Sequence, residues 1–205
     1  MQPAILVPST LDEETARAEI YGLLSALYYA APTPALWENL RAAVTESPAA
    51  GALLEASWGE VVATARAMSA AEVAEEYDVL FGGVGKPAVY LYGSHYMSGF
   101  LNEKPLAELR GDLAALGLDR GDEMSETEDH YAYVCEVMRY LIAGEDVEVA
   151  NLTRQREFFT RHLQPWALLM CEAISSHPKA RFYTSLAGFT QAFTNVESQG
   201  FDMLT

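Results

Sequence analysis

Lysine is nearly missing from this chain, with three residues among 205 beside ten arginines, whereas aspartate and glutamate together number 29. A net charge of −16 argues against nucleic acid as a partner, because phosphate binding needs clustered Lys and Arg. It points to basic or amphipathic partners. Cysteine is equally scarce. Cys135 and Cys171 stand far apart in apolar stretches, with no CxxC pair and no metal-ligand spacing, so they read as buried, reduced thiols. No run approaches 18 apolar residues, which predicts no membrane span. Residues 1–8 lack a basic start and do not read as a signal peptide, so a cytoplasmic protein is expected. What is abundant is apolar surface. Half the residues are hydrophobic, and a chain this long buries about 70% of its unfolded surface without help from disulfides or metal. General disorder is excluded.

The hydrophobic periodicity is helical almost throughout. Thr10-x-x-Glu13 reads as a capping box ahead of a stripe through Ile20, Leu23, Leu24, Leu27 and Tyr28. Pro34 suits the first turn of a second helix, and a third runs from about residue 50 to 68. Ser69-x-x-Glu72 caps a fourth, carrying Val73, Tyr77 and Leu80. The segment 82–93 is rich in glycine and tyrosine. Its lysine lacks a following Ser or Thr and no strand precedes it, so it reads as a connector with aromatic anchors rather than a phosphate loop. Leu106, Leu109, Leu113 and Leu116 mark a helix ending at Gly117, a natural left-handed cap. The polar stretch 118–124 is a candidate hinge between halves 1–117 and 125–205. Ser125-x-x-Glu128 is expected to cap the next helix, with a stripe through His130, Val134, Val137 and Leu141. A long pattern from 149 to 176 follows, with a kink at Pro165. The last helix begins near Pro178. No strand pair and no repeat is present, which predicts an all-α, compact single-domain bundle of about eight to eleven helices.

Few residues offer chemistry. There is no HExxH, no GxSxG and no repeated Glu-x-x-His pair. His162, between Phe158 and Trp166, reads as a satisfied core histidine. Asp129-His130 sits where an acidic loop meets an apolar stripe; residues 119–148 hold ten acids and two arginines, half the net charge of the protein. Glu126, Glu128 and Asp129 equally suit a helix N-terminus, where acids complement the macrodipole. Tyr77, Leu80 and Phe81 share one helical face. They serve either the core or, at a helix end followed by glycines, the wall of a groove for an apolar peptide. Tyr90, Tyr92 and Tyr96 extend such a wall or pin the loop to the bundle. A metal-dependent hydrolase using Asp129, His130 and Glu136 or His162 is a remote alternative.

The ordered set Tyr77-x-x-Leu80-Phe81-Gly82, Tyr92-Gly93-Ser94-His95-Tyr96, Glu126-Thr127-Glu128-Asp129-His130, Phe158-Phe159-x-x-His162-x-x-x-Trp166 and Phe182-Tyr183 resembles the TorD/DmsD family of redox enzyme maturation chaperones. The likeness spans residues 77–196. Thr127 stands where the family's E-P-x-D-H signature has proline, and Gly85, Tyr92 and Tyr96 replace tryptophans found in some members. The resemblance implies a TorD-like bundle that binds and does not catalyse, without resident cofactor or metal. Its implied partner is the precursor of a molybdenum-cofactor enzyme, held through its twin-arginine signal peptide. Asp129 and Glu126 would take the arginine region, His130 would position the helix end, and Leu80, Phe81, Tyr92 and Tyr96 would take the apolar region. The protein would be a monomer or a domain-swapped homodimer. A nitrate-reductase-type assembly chaperone for an enzyme that is not exported is the alternative.

Overall fold

A computed structural model describes residues 13–45, 53–82, 86–121 and 125–203. Among these residues the chain forms ten helices and no strand: α1 (Glu13–Tyr29), α2 (Pro34–Ala42), α3 (Glu55–Ala67), α4 (Ala70–Leu80), α5 (Gly93–Ser98), α6 (Lys104–Ala115), α7 (Tyr131–Ala143), α8 (Leu152–His162), α9 (Gln164–Ser175) and α10 (Phe182–Asp202). The all-α bundle expected from periodicity is the architecture found. Thr10, the glycines 83 and 85, and residues 122–124 of the candidate hinge lie outside the described residues.

Local signals explain many helix ends. Thr33 Oγ1 accepts from Leu36 N at 3.2 Å with Pro34 in the first turn of α2. Ser69 and Glu72 close the capping box of α4 in both directions. Gly117, at φ 71°, ends α6, and the Leu118 amide returns to the Leu113 carbonyl at 2.9 Å. The buried sets follow the helical period, such as Tyr21, Leu24, Leu27 and Tyr28 on α1 and Tyr131, Val134, Cys135, Met138, Leu141 and Ile142 on α7. These two helices pack along each other, while α10 packs on α9, α3 and α4.

Three expected boundaries move. Pro165 begins α9 instead of kinking a longer helix, because a first-turn proline needs no amide donor. The chain breaks at Leu163, and the indole of Trp166 donates to the His162 carbonyl at 2.6 Å, filling the acceptor that the break leaves open. The last helix starts at Phe182, not near Pro178. Its start is set by Glu76 of α4, whose buried carboxylate accepts from the amides of Arg181, Phe182 and Tyr183 at 2.7, 3.1 and 2.9 Å. Finally, α7 starts at Tyr131 and is capped by His130, not by Ser125.

A polar cluster crosses the core. Arg17 of α1 forks onto both oxygens of Glu197 of α10 at 2.7 and 2.8 Å, and Tyr21 donates to the same carboxylate at 2.9 Å. Arg17 also reaches Gln155 of α8, which donates to the Leu141 carbonyl of α7 at 3.1 Å. Four helices are thereby tied at one point, with each buried polar group partnered.

Candidate functional site

The segment after α4 does not wander. Val89 N donates to the Leu80 carbonyl at 2.9 Å, which turns the chain back across the end of α4. Tyr92 and His130 then form an isolated antiparallel bridge. Gly93 N donates to the Asp129 carbonyl at 2.9 Å and Tyr131 N to the Leu91 carbonyl at 2.8 Å. This bridge explains why Ser125 caps nothing: a turn over Glu128 and Asp129 followed by an extended His130 postpones the helix. The bridge also requires a glycine, since a Cβ at Gly93 would lie 2.9 Å from Trp166 Nε1 and 3.0 Å from its Cε2.

Where the end of α1, the end of α4, the loop 86–92 and the acidic segment meet, they leave a cleft of about 500 Å³. Phe81, Tyr92, Glu126 and His130 all line it, joined by Tyr29, Tyr77 and Tyr90. Tyr92 donates its hydroxyl to the Glu126 carboxylate. Burial and that carboxylate both hold the Tyr92 phenol well above the ordinary tyrosine range. Tyr77, pushed up to about 12 by burial, donates to the Tyr29 carbonyl at 2.7 Å and fixes the last turn of α1. The Tyr29 ring meets His130 edge-on at 6.4 Å, and the Tyr92 ring meets it edge-on at 5.1 Å.

The remaining candidates sit behind the cleft. Leu80 is fully buried and belongs to the core. Tyr96 donates to the Tyr90 carbonyl at 2.8 Å and stacks on Trp166 at 6.0 Å, so it pins the loop. Asp129 is buried, with one oxygen accepting from Ser94 N at 2.8 Å and the other from Thr127 Oγ1 at 2.6 Å. It is a positioning residue that orders both walls, and it does not project into the cleft. Thr127 thus helps hold the turn where the family signature has proline.

The charge that sequence gathers is dispersed in space. Glu128 pairs with Arg110 at 2.8 Å and Glu136 with Arg139 at 2.8 Å. Glu145, Asp146 and Glu148 follow the far end of α7, roughly 20 Å from His130 for a helix of this length. Among the described residues, Glu126 is the acidic side chain that lines the cleft. Lys86 lines it as well. Tyr77, from the expected helical face, and Tyr29, which was not expected, complete the cleft. Tyr77 was legible as part of the Leu80–Phe81 face. Tyr29 gave only the signal of an aromatic at a helix end.

Neither histidine is arranged as a metal ligand. His162 donates through Nε2 to Asp112 at 2.6 Å on the α6–α8 side, and among the described residues no three His, Cys, Asp or Glu side chains form a metal-holding group. The set named for the hydrolase alternative, Asp129 and His130 with Glu136 or His162, is not brought together as such a group. Both cysteines are free and buried, and burial pushes the Cys171 thiol up to about 12. Among the described residues no helix is long and apolar enough to cross a membrane.

His130 accepts from Ala132 N through Nδ1 at 3.2 Å, and burial lowers its pKa to about 4 against the partial opposition of Glu126 and Asp129. It is neutral near pH 7. A histidine depressed in the folded state contributes stability that is full above the unfolded value near 6.5 and is lost as pH falls through about 4. Burial depresses His162 in the same direction. His130→Asn keeps a side-chain acceptor at the cap and removes the titration. Urea titrations across pH 4–7 should show a flatter stability profile for this variant, by about 2–3 kcal/mol at pH 4; an unchanged profile would remove His130 as a source of acid sensitivity.

Comparisons with known proteins give the family. The profile of the nitrate reductase delta subunit family matches residues 30–172. The Chaperone protein TorD of Vibrio parahaemolyticus is 26% identical over 135 residues, covering 62% of this chain and 63% of its own length. That of Vibrio cholerae is 26% identical over 140 residues, covering 65% and 64%. That of Aliivibrio fischeri is 26% identical over 134 residues, covering 62% of each. The matched region thus spans somewhat under two thirds of these relatives. With that match over more than half of its residues, the chain belongs to the nitrate reductase delta subunit family, and it is similar to the TorD chaperones.

Proposed function

We propose that this protein is a cytoplasmic maturation chaperone for a molybdenum-cofactor oxidoreductase, and that it holds the twin-arginine signal peptide of the unfinished enzyme in the cleft beside His130. The observation that carries the reading is the pairing of the Glu126 carboxylate with a tyrosine-lined wall in one cleft. A twin-arginine leader offers the complement: cationic side chains followed by an apolar run. A guanidinium approaching Glu126 makes charge-assisted hydrogen bonds and meets the half-exposed Tyr29 ring, which suits a cation–π contact. The carbonyl end of α1 adds its partial negative charge, and no basic residue occupies the last turn of that helix to offset it. No group in the cleft is needed to break a bond, and the activity proposed is binding and release.

Affinity capture from the native host grown with molybdate, read by mass spectrometry, tests this directly. Recovery of one molybdoenzyme precursor with its leader intact is the expected result. The family profile, named for a nitrate reductase subunit, favours a second reading in which the client is not exported; recovery of a leaderless enzyme alone would select it. Capture of no molybdoenzyme would overturn both.

A further inference from the structure

Beside the cleft stands a hydrophobic knob that the leader-binding reading leaves unexplained. After α5 the chain turns through Gly99 at φ 83° and Asn102 at φ 61°, both in the left-handed region. Between and beside these residues Phe100 is 69% exposed, and Met97 and Leu101 are each 41% exposed. Solvation alone would not put three large apolar side chains on one exposed turn. The turn is also held firmly. Ser98 Oγ is within 2.7 Å of the Ser94 carbonyl and 3.1 Å of the Phe100 carbonyl, and Gly99 N donates to the His95 carbonyl at 2.9 Å. His95 stacks on Tyr90 at 4.2 Å and Tyr96 bonds the Tyr90 carbonyl, so the knob is fastened to the cleft wall. Leu101 belongs to both, since it lines the cleft as well.

We infer that Met97, Phe100 and Leu101 seat the apolar segment of the peptide whose cationic residue is held at Glu126. The inference rests on the proposed leader binding. A cleft of about 500 Å³ holds a few side chains, whereas the apolar run of a leader has roughly 7–15 residues, so most of that run lies outside. Leu101 makes the knob continuous with the cleft, and the charge of Glu126 places the cationic end inside it. Methionine and phenylalanine on a fixed turn suit a surface that takes varied apolar sequences, because the thioether adapts its shape and the ring supplies area.

Two fluorescent peptides separate the contributions: a long one with paired arginines and an apolar run, and a short one holding the arginines alone. The variants are Met97→Ser with Phe100→Ser, Phe100→Ser alone, and Glu126→Gln, with circular dichroism to confirm folding. By anisotropy, the double variant should bind the long peptide about tenfold more weakly, the size of losing one or two apolar contacts, and bind the short peptide like the wild type. Phe100→Ser should give a smaller loss of the same kind, and Glu126→Gln should weaken both peptides. Unchanged binding of the long peptide to the serine variants, or equal weakening of both peptides, overturns the knob while leaving the cleft reading intact. Failure of the wild type to bind either peptide overturns both.

Discussion

Glu76→Ala is expected to lower the stability of the protein by about 3–5 kcal/mol. Glu76 accepts from three consecutive amides at the start of α10, all inside the molecule or at its edge. These amides have no partner within their own helix, and no side chain of the α10 N-cap supplies one. Leaving each buried donor unsatisfied costs about 1–3 kcal/mol, and a domain has about 5–15 kcal/mol in total. Glu76→Gln separates charge from acceptor count. Its remaining carbonyl oxygen retains the bonds to Arg181 and Tyr183, while its amide opposes the Phe182 donor, so a loss of about 1–2 kcal/mol is expected. Guanidinium titration reads both as a lower midpoint at unchanged slope. An alanine variant as stable as the wild type would show that α10 does not depend on this cap. Because α10 carries Tyr183, whose ring packs on Phe81 at 5.0 Å, the alanine variant should also loosen the cleft wall.

Glu126→Gln is the counterpart for binding. The Glu126 carboxylate faces the cleft and already accepts from Tyr92, so a carboxamide there preserves shape and removes charge. The expected loss for an arginine-bearing leader peptide is about 2 kcal/mol, or about thirtyfold in Kd. Much of it should appear in the association rate, and the difference from wild type should shrink with salt, since exposed charge attraction is screened. Glu145→Gln is the control: it makes the same change in net charge at an exposed position beyond the far end of α7. If the two variants bind alike, attraction comes from the overall acidity and not from the cleft. If Glu126→Gln alone is weakened, the cleft recognises the cation.

The expected roles of the paired acids divide along the same line. Asp129 and Glu126 are three residues apart in one acidic segment, and sequence gives no reason to treat them differently. The bridge between Tyr92 and His130 turns one inward, to hold the Ser94 amide and the Thr127 hydroxyl, and leaves the other facing the cleft. Substitution of Asp129 should therefore act through the shape of both walls.

Features that repeat or cap within a few residues could be read directly from the chain. The helical period of α1, α4 and α7, the Ser69–Glu72 box, Pro34 in a first turn and Gly117 at a helix end are local, and each was legible. The Leu80–Phe81 face was legible as apolar, but only tertiary packing made Leu80 core and Phe81 cleft wall. The start of α10 was hidden because its cap lies 105 residues away on another helix. The acidity of residues 119–148 was real in sequence and dispersed in space, because a helix carries its two ends apart while ion pairs with Arg110 and Arg139 occupy acids in between. Local pattern chooses the helices; which side chains meet across them depends on contacts between distant residues, and those only the tertiary structure decides.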